Sequence, residues 1–464
     1  MSSSPDKALF YAFCALLVWL PLPLASNIAW AWSVMEVWAG LLFVVWCWLF
    51  SQNKVVISKS CYAARYALVF FGVWLVYIVL QIIPLPLALL ETVSPLSLEH
   101  WTAIGKTAQA SISVEPKITR VSLLLSISYF LIFFLTLVLV SNRKRLKTLA
   151  YTLVCSGLFQ AVYGAVMTLS NWEYGFFIKK YAYIGVATGT FVNRNHLAGY
   201  LEMTLAIGIG LLIATLGSES NGANFKKKLL NLFRLLLSAK ARIRLSLVMM
   251  VIALVLTHSR MGNTAFFASL FFAGVVGIVF SKHATRSVVV LLVSLILIDL
   301  LIVGQWFGFE KVKNRLEQTS EISENRDEVY DYALKQWEDY RLTGAGLGSF
   351  YAVFPQYRGV DVVGYNREAH NDYLQFATET GAIGLVLLGL ITLLSLFAAL
   401  LAQYRRHDPL MRGLSFAAIM GITAILIHSS VDFNLQIPAN AATFVVLLAL
   451  GWISLSMSNR KLGQ

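Results

Sequence analysis

The chain has 464 residues, 58% of them hydrophobic and only 13% charged, with a mean hydropathy of +0.69. A soluble protein carries charge on about a quarter of its residues, so a soluble globular class is excluded. The net charge of +13 is spread over short loops between apolar runs, so no nucleic-acid partner is expected.

Apolar runs near 20 residues recur, the length that crosses a hydrocarbon core of about 30 Å as a helix. They predict spans at 8–24, 27–50, 65–83, 121–140, 148–169, 195–216, 245–258, 262–280, 287–304, 382–402, 413–430 and 440–457. Strand-length alternation is absent, so a barrel is not expected. The fold class is therefore an all-α integral membrane protein with about twelve transmembrane helices. The first run, Ala8 to Leu24, follows a barely basic segment, Met1–Lys7. It is read as a retained helix, although Ala29-Trp30-Ala31 imitates a signal cleavage site. Cys14, Cys47, Cys61 and Cys155 fall in spans or short inner loops, so no disulfide framework supports the outer side.

Alternate loops divide the charge. One side holds 22 of the 37 basic residues, including Arg143, Arg145 and the run from Lys226 to Arg244, against three acids, Asp6, Glu219 and Asp408. The basic side is the cytoplasmic side. Both termini then lie inside and the number of spans is even. Residues 1–304 carry helices 1–9, residues 305–381 form a large loop on the outer side, and residues 382–464 carry helices 10–12 with a short cytoplasmic tail.

Of the two long outer segments, 84–120 is rich in Pro, Ser and Leu and shows little to anchor a function. The segment 305–381 reads as folded. Asn325 can cap a helix with Glu328 in a capping-box position. Val329, Tyr332, Ala333, Trp337 and Tyr340 then form an apolar stripe at helical spacing. Gly344, Gly346 and Gly348 lack a strand-to-helix context and a lysine, so they mark a turn and not a phosphate loop. A second amphipathic helix is expected from about Glu368 to Thr380, interrupted by Gly381 before the next span.

Polar residues at the outer ends of spans carry the candidate chemistry. Arg194 opens the sixth span, where free N–H groups of a helix start make an anion site at the membrane surface. A snorkelling interface anchor is the plainer reading. Arg260 lies in Thr257-His258-Ser259-Arg260-Met261-Gly262-Asn263, a polar hairpin between two short spans whose backbone is broken inside protein. Two arginines at one depth suit a phosphate group, each offering a planar fork of donors. A purely structural role would ask for a carboxylate for each; Glu202, two turns on, is the candidate for Arg194. His370, with carboxylates beside it in sequence, suits a general base near neutral pH or is simply a polar residue on the surface of a helix. Glu36 and Asp299 fall within spans, where a carboxylate is costly; Glu36 can line a cavity. No Asp-x-Asp pair appears in the loops, so no metal-dependent sugar-nucleotide site is expected, and no cofactor is implied.

With Arg194, Arg260 and His370 assembled, the chain resembles the O-antigen ligase and polymerase superfamily from about residue 120 onward. The stretches that carry the resemblance are Gly189-Thr190-Phe191-Val192-Asn193-Arg194-Asn195-His196 and His258-Ser259-Arg260-Met261-Gly262. Further matches are Gly344-Ala345-Gly346-Leu347-Gly348-Ser349-Phe350, Glu368-Ala369-His370-Asn371-Asp372-Tyr373-Leu374 and Glu379-Thr380-Gly381-Ala382-Ile383-Gly384. The resemblance implies a metal-independent, inverting glycosyltransferase at the periplasmic face of the bacterial inner membrane. Its donor would be a glycan on undecaprenyl pyrophosphate and its acceptor another glycan, the lipid A core for a ligase or a second lipid-linked glycan for a polymerase. A protein glycosyltransferase is a further member of the class. Arg194 and Arg260 would hold the pyrophosphate, and His370 would take the acceptor's proton. The competing class is a secondary transporter, with Glu36, Asp299 and the arginines as a path; transporters show paired repeats and broken helices near the midplane. No repeat is visible here, and the polar groups gather at one face.

Overall fold

A computed structural model of the chain describes residues 5–105, 108–175, 178–180, 182–216, 239–280, 320–360, 362 and 367–458. The expected span 287–304 with Asp299, and most of the basic stretch that begins at Lys226, lie outside the described residues. Each of the other expected spans meets a helix. In chain order these are α1 (Lys7–Trp19), α2 (Ala29–Ser51), then a short α3 (Lys59–Ala63) and α4 (Arg65–Ile82). Two short helices follow, α5 (Leu87–Val93) and α6 (Pro95–Ala103), before α7 (Pro116–Leu139), α8 (Arg143–Leu169) and α9 (Arg194–Leu216). The remainder are α10 (Ala239–Leu256), α11 (Arg260–Val279), α12 (Ser320–Asp339), α13 (Phe350–Val353), α14 (Asp372–Arg405), α15 (Pro409–His428) and α16 (Pro438–Ser456). Among the described residues, nine of these helices are long and apolar enough to cross a membrane, and the chain is an all-α multi-pass membrane protein. Among the described residues, strand is confined to two pairs of two residues each, Leu85–Pro86 with Gln109–Ala110 and Tyr174–Gly175 with Ile178–Lys179.

Helices α9, α15 and α16 form the centre and are buried almost throughout, whereas α2 and α4 expose broad apolar faces. Lipid tails are as apolar as leucine, so packing between spans relies on close backbone approach at small residues. Gly210 of α9 and Gly413 of α15 show this: a Cβ on either would strike the other's carbonyl oxygen. At one end of the bundle two arginines are paired with carboxylates. Arg145 meets the Asp6 carboxylate through two hydrogen bonds of 2.6 and 2.7 Å, and Arg143 pairs with Asp408. Two of the three acids on the basic side therefore serve to hold two of its arginines in place. The four cysteines carry free thiols.

The outer segments pack on the opposite end. The stripe expected on α12 is present, with Val329 and Ala333 buried in a small core with Phe350, Phe354 and Leu374. The helix begins at Ser320, so Asn325 lies inside it and is not its cap. Residues 84–120, expected to anchor little, support the loop that follows α12: the Val114 N–H donates to the Ala345 carbonyl at 2.9 Å, and Ser113 packs on Gly346.

Candidate functional site

The break in α14 builds the floor of the site. Gly381 has φ +60° and ψ −170°, a conformation available in practice to glycine, and it splits a polar first segment, 372–380, from the apolar span beyond. A helix broken at membrane depth frees carbonyls that must find donors inside the protein. Here they do. The N–H groups of Ala345 and Gly346 donate to the Thr378 and Glu379 carbonyls at 3.0 and 2.9 Å. The Gln81 amide reaches the Glu379 carbonyl at 3.0 Å and the Tyr77 hydroxyl reaches that of Thr380 at 2.9 Å. Beyond the break, the Ala382 N–H donates to the Arg341 carbonyl at 2.8 Å. The loop 341–346 thus fills the gap in α14.

The glycines of that loop are a turn, as expected, with positive φ at Gly344, Gly346 and Gly348. A Cβ at Gly344 would strike the backbone at Glu379–Thr380, and one at Gly348 would stand 2.5 Å from the Ser122 hydroxyl. The N–H groups of Gly348 and Phe350 donate to the Glu379 carboxylate, at 2.8 and 3.4 Å, instead of to a phosphate. Gln375 ties the segment together, its amide nitrogen donating to both Glu368 and Glu379 at 2.8 Å. Burial and then the nearby Glu379 push the Glu368 carboxyl up to about 8, against smaller opposing contributions from Arg367 and Gln375.

Arg194 and Arg260 each occupy the first position of a helix, α9 and α11. The Arg194 motif is docked by Thr190, whose N–H and hydroxyl donate to the Gln160 side-chain oxygen at 2.9 and 3.0 Å. The Arg194 guanidinium lies 5.7 Å from the centre of the Tyr183 ring. The Arg260 hairpin is capped by Ser259, whose hydroxyl accepts from the Gly262 N–H at 3.2 Å. The two helix starts touch: a Cβ built on Gly262 would stand 2.6 Å from the Ala198 Cβ, one turn past Arg194. Glu202, expected beside Arg194, instead pairs its Oε1 with His428 Nδ1 at 2.8 Å, both side chains wholly buried. Eight residues along a helix is about 80° off the same face, which turns Glu202 toward α15.

His370 is half-buried and does not lie on a helix. It has φ +52°, and the Asn371 side chain caps α14 by accepting from the Leu374 N–H at 3.0 Å. Asparagine is among the best N-caps, so the helix starts at Asp372 and not at Glu368 as expected. The His370 ring lies edge-on to Phe433, centroids 4.9 Å apart. His196, two residues after Arg194, lies edge-on to the same ring at 4.6 Å. The arginine, hairpin and histidine motifs therefore converge at one end of the bundle, around the loop between α15 and α16. Asp432 in that loop is buried, 3.7 Å from His196 Nε2. Burial alone would raise its carboxyl, but the His196 and His428 imidazoles outweigh burial and hold it well below the usual carboxylate range.

Beneath the polar segment of α14 lies a cavity of about 460 Å³, walled by apolar residues such as Phe71, Trp74, Leu388 and Phe444. Its polar lining includes Asp372, Glu379, Ser429 and Gln436. Neither arginine, nor His370, nor Glu36 lines it. His428, Asp432 and Phe433 escaped the reading of the sequence, and His196 entered it only as part of a motif. Their stretch, His428-Ser429-Ser430-Val431-Asp432-Phe433-Asn434, is polar for a turn between two spans, and that is the signal available.

Residues 245–389 match the family described as O-antigen ligase, which bears out the superfamily resemblance over that stretch. No curated protein matches the chain.

Proposed function

We propose that this chain, a membrane protein of the O-antigen ligase and polymerase type that carries the ligase domain over residues 245–389, is a glycosyltransferase using a glycan on undecaprenyl pyrophosphate. The observation that carries the reading is the meeting of two arginine-headed helix starts at the end where the His370 loop closes over α14. Arginine forks and the N–H groups of a helix start both favour a pyrophosphate. In the step proposed, an acceptor hydroxyl attacks the anomeric carbon of the donor sugar while the bond to the pyrophosphate oxygen breaks. The configuration inverts in this single displacement. Arg194 and Arg260 stabilise the charge that develops on the departing lipid pyrophosphate, the place where fixed positive charge accelerates most and which otherwise calls for a metal ion. The His370 imidazole takes the hydroxyl proton.

The acceptor is the lipid A core, which makes the protein a ligase; a second lipid-linked glycan would make it a polymerase. The distribution of basic loops supports an orientation in the bacterial inner membrane with both termini cytoplasmic and the site facing the periplasm. In that frame residues 305–381 form the large periplasmic loop. The test is transfer from purified undecaprenyl-pyrophosphate glycan, with lipid A core and a second lipid-linked glycan offered separately. Arg194→Ala, Arg260→Ala and His370→Ala are each expected to cut transfer to a small residual rate in folded protein, and the acceptor consumed by the wild type decides between ligase and polymerase. Full activity in the three variants would remove the site assignment.

A further inference from the structure

We propose that Phe433 is the positioning residue for His370, and that the buried His196–Asp432 pair holds Phe433 in place; this rests on the reading of His370 as the base. The Phe433 ring meets two imidazoles, His196 at 4.6 Å and His370 at 4.9 Å, at interplanar angles of 77° and 76°. Such edge-on contacts are the preferred geometry for aromatic pairs and restrict the ring rotation of each partner. The two histidines differ in what they can reach. His196 is 5% exposed, whereas His370 and Phe433 are half-buried.

The loop that carries Phe433 is over-determined by its hydrogen bonds. The Asp372 N–H donates to the Ser429 and Asp432 carbonyls at 2.9 and 3.2 Å. The Asp372 carboxylate accepts from the Ser429 hydroxyl at 2.7 Å and the Leu435 N–H at 3.0 Å. The Asn371 amide donates to the Ser430 carbonyl at 2.8 Å. Asp432 accepts the Phe433 N–H at 2.8 Å and faces His196, which is itself anchored where the Asn440 amide donates to its carbonyl at 3.0 Å. The backbone on both sides of Phe433 is therefore fixed to the two residues that follow His370. A left-handed φ at His370 aims its side chain out of the helix line, and the wall that stops its ring is Phe433. A base must hold its nitrogen within hydrogen-bond reach of the acceptor, and displacement by 1 Å can cost about a hundredfold in rate. Phenylalanine itself neither takes nor gives a proton, so its contribution is orientation alone.

The test measures transfer kinetics with Phe433→Ala, Phe433→Leu and Phe433→Tyr in wild-type and His370→Ala backgrounds. Phe433→Ala is expected to lower kcat by roughly 10- to 100-fold with the donor KM changed less than about threefold. Phe433→Tyr keeps the ring and should restore kcat. Phe433→Leu keeps the apolar bulk that the loop packs against, loses the ring edge, and should lower kcat too; it carries the test if the alanine variant does not fold. His196→Ala and Asp432→Asn should follow Phe433→Ala. On the His370→Ala background Phe433→Ala should have no further effect, because groups acting as one unit are not additive. Wild-type kcat in folded Phe433→Ala or Phe433→Leu, or an equal further loss on the His370→Ala background, would overturn this inference alone. Full activity of His370→Ala would overturn the reading of His370 together with it.

Discussion

Gly262→Ala tests whether the two arginine-headed helices work as a unit. Its Cβ would stand 2.6 Å from the Ala198 Cβ, 3.0 Å from the Ser259 hydroxyl and 3.2 Å from Glu202 Oε1. Carbon atoms rest at about 3.5–4.0 Å, so α9 and α11 must part by about 1 Å at their first turns. Overpacking of this kind costs about 1–3 kcal/mol, partly offset by the 0.8–1.0 kcal/mol or so that alanine gains over glycine in a helix. The loss of stability is thus small, about 1 kcal/mol, while the separation of Arg194 from Arg260 changes by an amount that can cost about a hundredfold in rate. Transfer from the lipid-linked donor is the assay, with the thermal midpoint in detergent measured beside it. The exchange Gly262→Ala with Ala198→Gly restores the space and should return kcat to within a few-fold of wild type. Wild-type transfer by Gly262→Ala, or failure of a folded exchange variant to recover, would refute the argument.

Two predictions concern stability. His428→Ala leaves the Glu202 carboxyl buried without its partner, and breaking a buried pair of this kind costs about 3 kcal/mol, read as a lowered thermal midpoint; an unchanged midpoint would contradict the pairing. Glu368 ionises near 4.5 when unfolded, but the fold keeps its proton until about pH 8. Between those values the folded state binds the extra proton, so its stability falls as pH rises through that window. Glu368→Gln should flatten the thermal midpoint across pH 5 to 8 and lift it at the upper end, whereas an unchanged slope would count against the burial argument.

The sequence by itself determined the class, the positions of the spans that the structure describes and the punctuation within them. Hydropathy over 20 residues is a local quantity, and so is the conformational demand that put Gly381 at the break in α14 and three glycines in the turn before it. The placing of Arg194 and Arg260 at helix starts is equally local, since a polar pair or hairpin before an apolar run marks where a helix can begin. The proposed orientation rests on charge counts alone. What only the tertiary structure decided was partnership. Glu202 finds His428 across 226 residues, and Gln81 finds the carbonyls of the broken helix across 298. No period or spacing announces such pairs, because they depend on which faces of the helices meet. The 80° that separates Glu202 from Arg194 around α9 is legible in the sequence; the helix that fills that side is not. His196, His370 and Phe433 come together for the same reason, drawn from three distant stretches by the packing of α9, α14 and the loop after α15.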